Sequence, residues 1–205
     1  MPPTSVRQLT PKGQRTRERI VDAASGLMVT HGVAAVSLDD VGRATATSKS
    51  QMYHYFASKD DLVDAVVHHV GTDIVGFHRQ LLAEVTDLEG LGRWAEAIVE
   101  LQVSAPSFCG CPLGTLASEL GGDPIHRRPE VEQAFAAWEQ LLEERLRVMV
   151  DAGALSSDAD PHALAVATLA SLQGGLLMAK ATQDPSYLRI PLSAALEHLS
   201  AFIPR

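Results

Sequence analysis

Asparagine is absent from this chain of 205 residues, so it offers no N-glycosylation acceptor. Cysteine occurs only as Cys109 and Cys111, too few for a disulfide framework and in keeping with a reducing compartment. No uninterrupted apolar run approaches the roughly 18 residues of a membrane span, and the N-terminus lacks the basic-then-apolar order of a secretory signal. These absences predict a soluble, cytoplasmic protein with no membrane partner. Catalytic signatures are missing too: there is no Gly-rich phosphate loop, nucleophile elbow, helix with paired metal-binding histidines, or set of separated Cys pairs. A helical small-molecule-binding protein or enzyme is therefore the alternative reading, not the leading one, and no cofactor or metal is expected. What is present is a 46% apolar composition, enough to bury a proper core.

The net charge of −8 argues against nucleic acid until it is divided by position. Residues 1–59 carry eight Lys or Arg against four acids, a balance of +4, which leaves −12 for the remainder. A basic head on an acidic body suits a protein that docks one end on phosphates while the rest is repelled from them.

The helical period runs through the chain and no convincing strand appears, so the fold class is all-α. Residues 1–9, with two prolines and no period, read as an arm. Thr10-Pro11 is a cap and first-turn pair, and Ile20, Ala23, Ala24, Leu27 and Met28 then share one face up to His31-Gly32, where Gly32 suits a C-terminal cap closed by Val33. Three start signals follow within about 25 residues, each a hydroxyl with an acid or amide three positions later: Ser37 with Asp40, Ser48 with Gln51, Ser58 with Asp61. They predict a short helix, a turn near Ala46, a third helix, and a long fourth helix through Leu62, Ala65, Val66 and Val70. Beyond it, breakers at Gly90, Pro106, Gly121-Gly122, Pro129, Gly153, Pro161, Pro185 and Pro191 divide further helices, the strongest over about 130–152 and 161–181.

Two crossed short helices joined by a tight turn are a helix-turn-helix, whose second helix enters the major groove with its N-terminal residues at the base edges. Thr47, Lys49, Ser50 and Gln51 are thereby nearest the bases: Lys49 suits guanine O6 or N7, Gln51 adenine, and the small hydroxyls permit close approach. Ser37 and Arg43 are placed against the DNA backbone, and Lys59 in the first turn of the fourth helix can add its charge and that helix's free amides to a phosphate. Met52, Tyr55 and Phe56 are expected to face inward. Each basic residue has the plainer reading of a solvated surface charge.

The run from Ser48 through Tyr53-His54-Tyr55-Phe56 to Ser58-Lys59-Asp60-Asp61-Leu62 resembles the signature of TetR-type transcriptional regulators. The resemblance covers residues 12–70, an N-terminal DNA-binding domain with its helix-turn-helix at 37–56. It leaves 71–205 as a helical ligand-binding and dimerisation domain. It implies a homodimer on a pseudo-palindromic double-stranded DNA operator, a small and mostly apolar effector, and phosphate contacts from Tyr53 and His54. Where the family usually has Ala-Gly-Val, this chain has Thr45-Ala46-Thr47, so Ala46 should cost on the order of 1 kcal/mol if the turn needs a positive φ. Loss of DNA binding is the reading that this departure would favour.

For the body, the resemblance implies a bundle across a two-fold axis, built from the helices at 130–152 and 161–181. Gly174 and Gly175 inside the second agree with close helix approach. It also implies an apolar pocket, for which Phe77, Trp94, Leu101, Phe108, Trp138 and Met178 are candidate lining and His78 and Gln102 candidate polar anchors, all equally able to be plain core. Cys109-Gly110-Cys111-Pro112-Leu113-Gly114 resembles an element of the LmrA- and YxaF-like branch. A buried turn, a thiol sensor and a soft-metal site with His126 are its three readings, of which the turn is favoured.

Overall fold

The computed structural model describes residues 9–121 and 129–204; residues 1–8 of the arm expected at 1–9, together with Gly122 and His126, lie outside the described residues. Among the described residues there are nine helices and no strand: α1 (Pro11–His31), α2 (Leu38–Ala44), α3 (Lys49–Tyr55), α4 (Lys59–Leu82), α5 (Leu88–Ser104), α6 (Pro112–Leu120), α7 (Pro129–Asp151), α8 (Pro161–Thr182) and α9 (Ser186–Ser200). They form two compact units, Met1–His69 and Val70–Arg205, with the boundary inside α4.

Local hydrogen bonds start the helices of the first unit. The Thr10 hydroxyl accepts from the Gly13 N–H at 3.2 Å ahead of Pro11, and Gly32, at φ 89°, returns its N–H to the Met28 carbonyl at 2.9 Å. Ser37 and Asp40 close a reciprocal box before α2, as Ser48 and Gln51 do before α3, satisfying amides that a helix start leaves open. At α4 the pattern is shifted by one residue: Asp61 donates its N–H to the Ser58 hydroxyl at 3.1 Å, while its carboxylate accepts from Ala57 at 3.0 Å. Ile20, Ala24, Met28, Val41, Met52, Phe56, Leu62 and Val66 fill the core between these helices.

In the second unit α8 packs on α7 and α9, and α5 packs on α9. Two prolines start helices as expected, Pro129 at α7 and Pro161 at α8. Two expected breakers do not break. Gly90 lies within the first turn of α5, where the Asp87 carboxylate accepts its N–H at 2.8 Å. Pro191 lies inside α9. An interior proline removes a helical hydrogen bond and costs about 3 kcal/mol, and the burial of Leu188, Leu192 and Leu199 is what offsets it.

Gly175 lets α8 and α9 approach closely, since a Cβ there would stand 3.0 Å from the Tyr187 carbonyl oxygen, whereas one at Gly174 would meet nothing. The close approach expected of these glycines is thus met within the chain at Gly175, which does not itself argue for a partner, and is not met there at Gly174. By length and composition α8 could cross a membrane, with a window of mean hydropathy 1.4, a property hidden when only unbroken apolar runs are counted. It lies against α7 and α9 instead, with 44% of that window buried.

Candidate nucleic-acid interface

The turn between α2 and α3 is closed by its own side chains. Thr47 returns its N–H to the Gly42 carbonyl at 2.9 Å, and the Thr45 hydroxyl lies 2.8 Å from the Val41 carbonyl and 2.9 Å from the Thr47 hydroxyl. Ala46 takes φ 51°, the left-handed conformation that a glycine would adopt without strain. Gly42 permits the tight crossing, because a Cβ there would come within 3.0 Å of the Thr47 carbonyl oxygen. The expectation that Thr47 is displayed to the bases needs correcting: it is 7% exposed and its hydroxyl belongs to the turn.

Beyond the turn, α3 carries Lys49, Ser50, Gln51, Tyr53 and His54 exposed, while Met52 is buried. Tyr53 is 51% exposed despite its size. Tyr55 is only half-buried, its ring edge-on to His54 at 5.2 Å, and Phe56 is the buried aromatic, with the Arg17 guanidinium over its ring at 5.2 Å.

Several candidate contacts are held within the chain. Asp40 pairs with Arg43 and accepts from both the hydroxyl and the backbone N–H of Ser37, and the Ser37 bonds hold its carboxyl below the usual range. Lys49 lies 3.5 Å from Asp39. The Gln51 carboxamide oxygen accepts from the Ser48 N–H at 3.1 Å. Lys59 donates to the Ala34 carbonyl at 3.0 Å, tying the start of α4 to the loop after α1. The acidic pairings are exposed, worth about 0–1 kcal/mol each, and exchangeable for a stronger anion.

A polar groove of about 660 Å³ runs between α1 and α3, with Lys12 and Arg19 on one side and Gln51, His54 and Tyr55 on the other. Sequence reading counted Lys12 and Arg19 in the basic head without placing them on this face; the helical spacing of seven residues between them was the available signal.

Both halves of the chain match known families over stretches that coincide with this geometry. Residues 20–66 match the model described as bacterial regulatory proteins, tetR family, and 88–195 match the tetracyclin repressor-like C-terminal domain. The chain belongs to the TetR family. An uncharacterised HTH-type transcriptional regulator from the lacX 3′ region of Lactococcus lactis subsp. lactis is 31% identical over 182 residues, 85% of this chain and 88% of the relative. The HTH-type transcriptional regulator LmrA of Bacillus subtilis (strain 168) is 27% identical over 199 residues, 92% and 95% of the two chains. Among solved structures, the regulatory protein TetR from Rhodobacter sphaeroides superposes with a TM-score of 0.77 at 25% identity, covering 89% of this chain and 98% of that one. This TetR-family chain is accordingly a DNA-binding transcriptional regulator, in the company of regulators and not of enzymes.

The eight candidates for an effector pocket differ in their burial and bonding. His78, Trp94 and Trp138 are core: the Trp94 indole N–H donates to His78 Nδ1 at 3.0 Å, and the His78 and Trp138 rings lie 4.4 Å apart. Burial lowers the His78 pKa to about 4, so the ring is neutral. Gln102 is buried and clasps Gly110, donating to its carbonyl and accepting from its N–H, both at 3.2 Å. Phe108 is bound through its backbone to the Gln183 side chain, and Phe77, Leu101 and Met178 are exposed.

A cavity of about 700 Å³ opens elsewhere in this unit, walled by α6, α8 and Phe135 of α7, and none of the eight lines it. Its wall includes Cys111, whose sulfur caps α6 by accepting the Gly114 N–H at 3.4 Å. Both thiols are free, Cys109 exposed and Cys111 buried, and burial pushes the Cys111 thiol up. Glu139, Glu143 and His162 place three potential metal-ligand atoms within 4.8 Å, but Glu143 is already paired with Arg147.

Proposed function

We propose that this regulator is a homodimeric repressor, released from a pseudo-palindromic operator by a small, mostly apolar effector. The observation that carries its DNA-reading half is α3, which presents five polar or aromatic side chains outward from a turn held rigid by its threonines. In this reading Lys49, Ser50 and Gln51 meet base edges, with Gln51 presenting its amide nitrogen or leaving its cap to reach an adenine. Tyr53 and His54 hold phosphates. Ser37 and Arg43 hold the backbone from α2, Arg43 exchanging Asp40 for a phosphate. Lys59 keeps two ammonium hydrogens for a phosphate beyond the one it gives to Ala34. Thr47 shapes the turn and reads nothing.

The division into a reader at 12–70 and an effector and dimerisation domain at 71–205 completes the proposal, with a cytoplasmic location following from the DNA target. Dimerisation is assigned to α8 and α9, not to α7 and α8. The outer face of α8 is Ala163, Val166, Ala167, Ala170, Gly174 and Leu177, with Tyr187, Ile190 and Ala194 on α9, whereas α7 turns Glu132, Gln133, Gln140, Glu144 and Arg147 outward. Two readers related by two-fold symmetry require half-sites one or more DNA turns apart. Release then works by linkage: the effector binds more tightly to the state whose readers are wrongly spaced.

Selection from a randomised duplex library at two salt concentrations tests this. A palindrome with a steep salt slope, its base preference relaxed by Lys49→Ala, is the expected result. Recovery of no sequence, with no binding even at low salt, would overturn the reading.

A further inference from the structure

The walls of the 700 Å³ cavity are mostly apolar and carry four polar side chains, Thr115, Ser118, Gln173 and Lys180, of which only the last is charged. Lys180 contributes an ammonium, and among the described residues no Asp or Glu lines the cavity. Among the described residues the polar partner of Lys180 Nζ is the Thr115 hydroxyl at 3.3 Å, a neutral group, which leaves two of the ammonium's hydrogens for a ligand. The lysine stem is held by packing: a Cβ at Gly110 would come within 3.0 Å of its Cδ, and Gly110 is itself clasped by Gln102. The charge therefore sits at a defined place on the wall. The apolar part of the lining includes Ala117, Phe135, Leu177 and Ala181. Gly174, on the face of α8 assigned above to dimerisation, leaves one side open within the protomer, since a side chain there would meet nothing in the chain.

Cys111 is part of this wall but not a nucleophile poised in it. Its sulfur accepts from Gly114 and, at 3.6 Å, from the Gln173 amide, and burial disfavours the thiolate that electrophile capture needs.

We infer that the cavity binds a small monocarboxylate with a short apolar body, its carboxylate on Lys180 and Thr115 and its body against Phe135, Leu177 and Ala181. This deepens the effector reading above and rests on it for its regulatory meaning, though not for the binding itself. An ammonium whose partner is a neutral hydroxyl, in a mostly apolar site, gains more from an anion than from a neutral group of the same shape, because the charged pair is the stronger hydrogen bond.

Calorimetry on the full-length protein, with benzoate and hexanoate set against benzamide and hexanamide, reads the site directly. The carboxylates should bind at least about tenfold more tightly than their amides. Lys180→Met should erase that preference and Lys180→Arg should restore it, with thermal unfolding of each variant reporting that it folds. Equal affinity for acid and amide in the unaltered protein overturns the inference, as does failure of either carboxylate to bind at millimolar concentration, or a preference that survives Lys180→Met. Operator binding is measured in parallel and separates the two readings. Carboxylate binding that leaves DNA affinity unchanged supports the site and removes its effector role. Release by a neutral compound that benzoate does not displace keeps an effector for the regulator and overturns this cavity as its effector site.

Discussion

Ala46 occupies a backbone conformation that its own side chain disfavours. A left-handed alanine costs roughly 1–2 kcal/mol, and here the surrounding bonds from Thr47 to Gly42 and from Thr45 to Val41 impose it. Ala46→Gly should therefore stabilise the protein by up to about 1 kcal/mol in denaturant unfolding, the relief of strain being partly offset by the greater freedom of glycine in the unfolded chain. A loss of stability instead would mean that the turn is not under strain. His78 is the other residue whose environment has a measurable consequence. Its pKa falls from 6.5 to about 4 because burial among Trp94 and Trp138 disfavours the charged ring. The unfolded chain thus binds a proton that the native state refuses between these values, and stability should decline as pH is lowered from about 6.5 toward 4, by at most about 1.4 kcal/mol per pH unit. His78→Gln, which keeps an acceptor for the Trp94 N–H, should flatten that decline when unfolding is followed at pH 7, 6 and 5. An unchanged slope would assign the acid sensitivity to other groups.

At the scale of elements, helix starts and helix packing obey different determinants. The boxes at Ser37 and Ser48 close over three residues, so both were readable as local spacing. Packing of α8 was not, because apolar residues occur on every side of the helix. Ala167 and Met178 fit the same repeat as Leu164, Leu172 and Leu176, yet the first two are exposed and the others buried. The position of α9 follows from that packing and overrides its internal proline. Gly175→Val makes the dependence testable. Its side chain would collide with the Tyr187 carbonyl and the Leu188 backbone, both already within about 3 Å of a Cβ. Overpacking of this kind costs about 1–3 kcal/mol, and the midpoint of thermal unfolding should fall accordingly. Gly174→Ala at the neighbouring position, where a Cβ meets nothing within the chain, should not lower it by that route. Equal losses at both sites would show that helix propensity or a second protomer, and not the α8 to α9 contact, governs these glycines.

For the whole molecule, the asymmetry of charge and the outward apolar faces of α8 and α9 make separate demands. The first orients the acidic body away from phosphate. The second leaves Val166, Leu177, Tyr187 and Ile190 exposed on faces that carry little charge, with Ile190 at 68%. A helix apolar all round is stable in water when most of its surface is covered. Ile190→Glu combined with Val166→Glu should therefore weaken association by on the order of 100-fold or more, as buried unpaired charges do, with monomer appearing in sedimentation. Operator affinity should fall in parallel, since a lone reader meets one half-site. A dimer that persists with both acids in place would move the interface off α8 and α9.

The amino-acid sequence by itself determined the features set by neighbours along the chain: the helix starts at Thr10, Ser37 and Ser48, the strained turn at Ala46, the division of charge, and membership of a family whose signature lies in one continuous run. These depend on bonds that reach three or four residues, so spacing is enough to specify them. Tertiary structure alone decided which apolar residues became core, cavity wall or outer face. The bonds that settle it join distant positions, as Lys180 to Thr115 across 65 residues and Gln183 to Phe108 across 75. Trp94, Trp138 and His78 are packed on one another, while the cavity beside Lys180 is open at Gly174 and closely packed at Gly110 and Gly114. Periodicity reports that a residue is apolar. Only the packing of other helices against it decides what it touches.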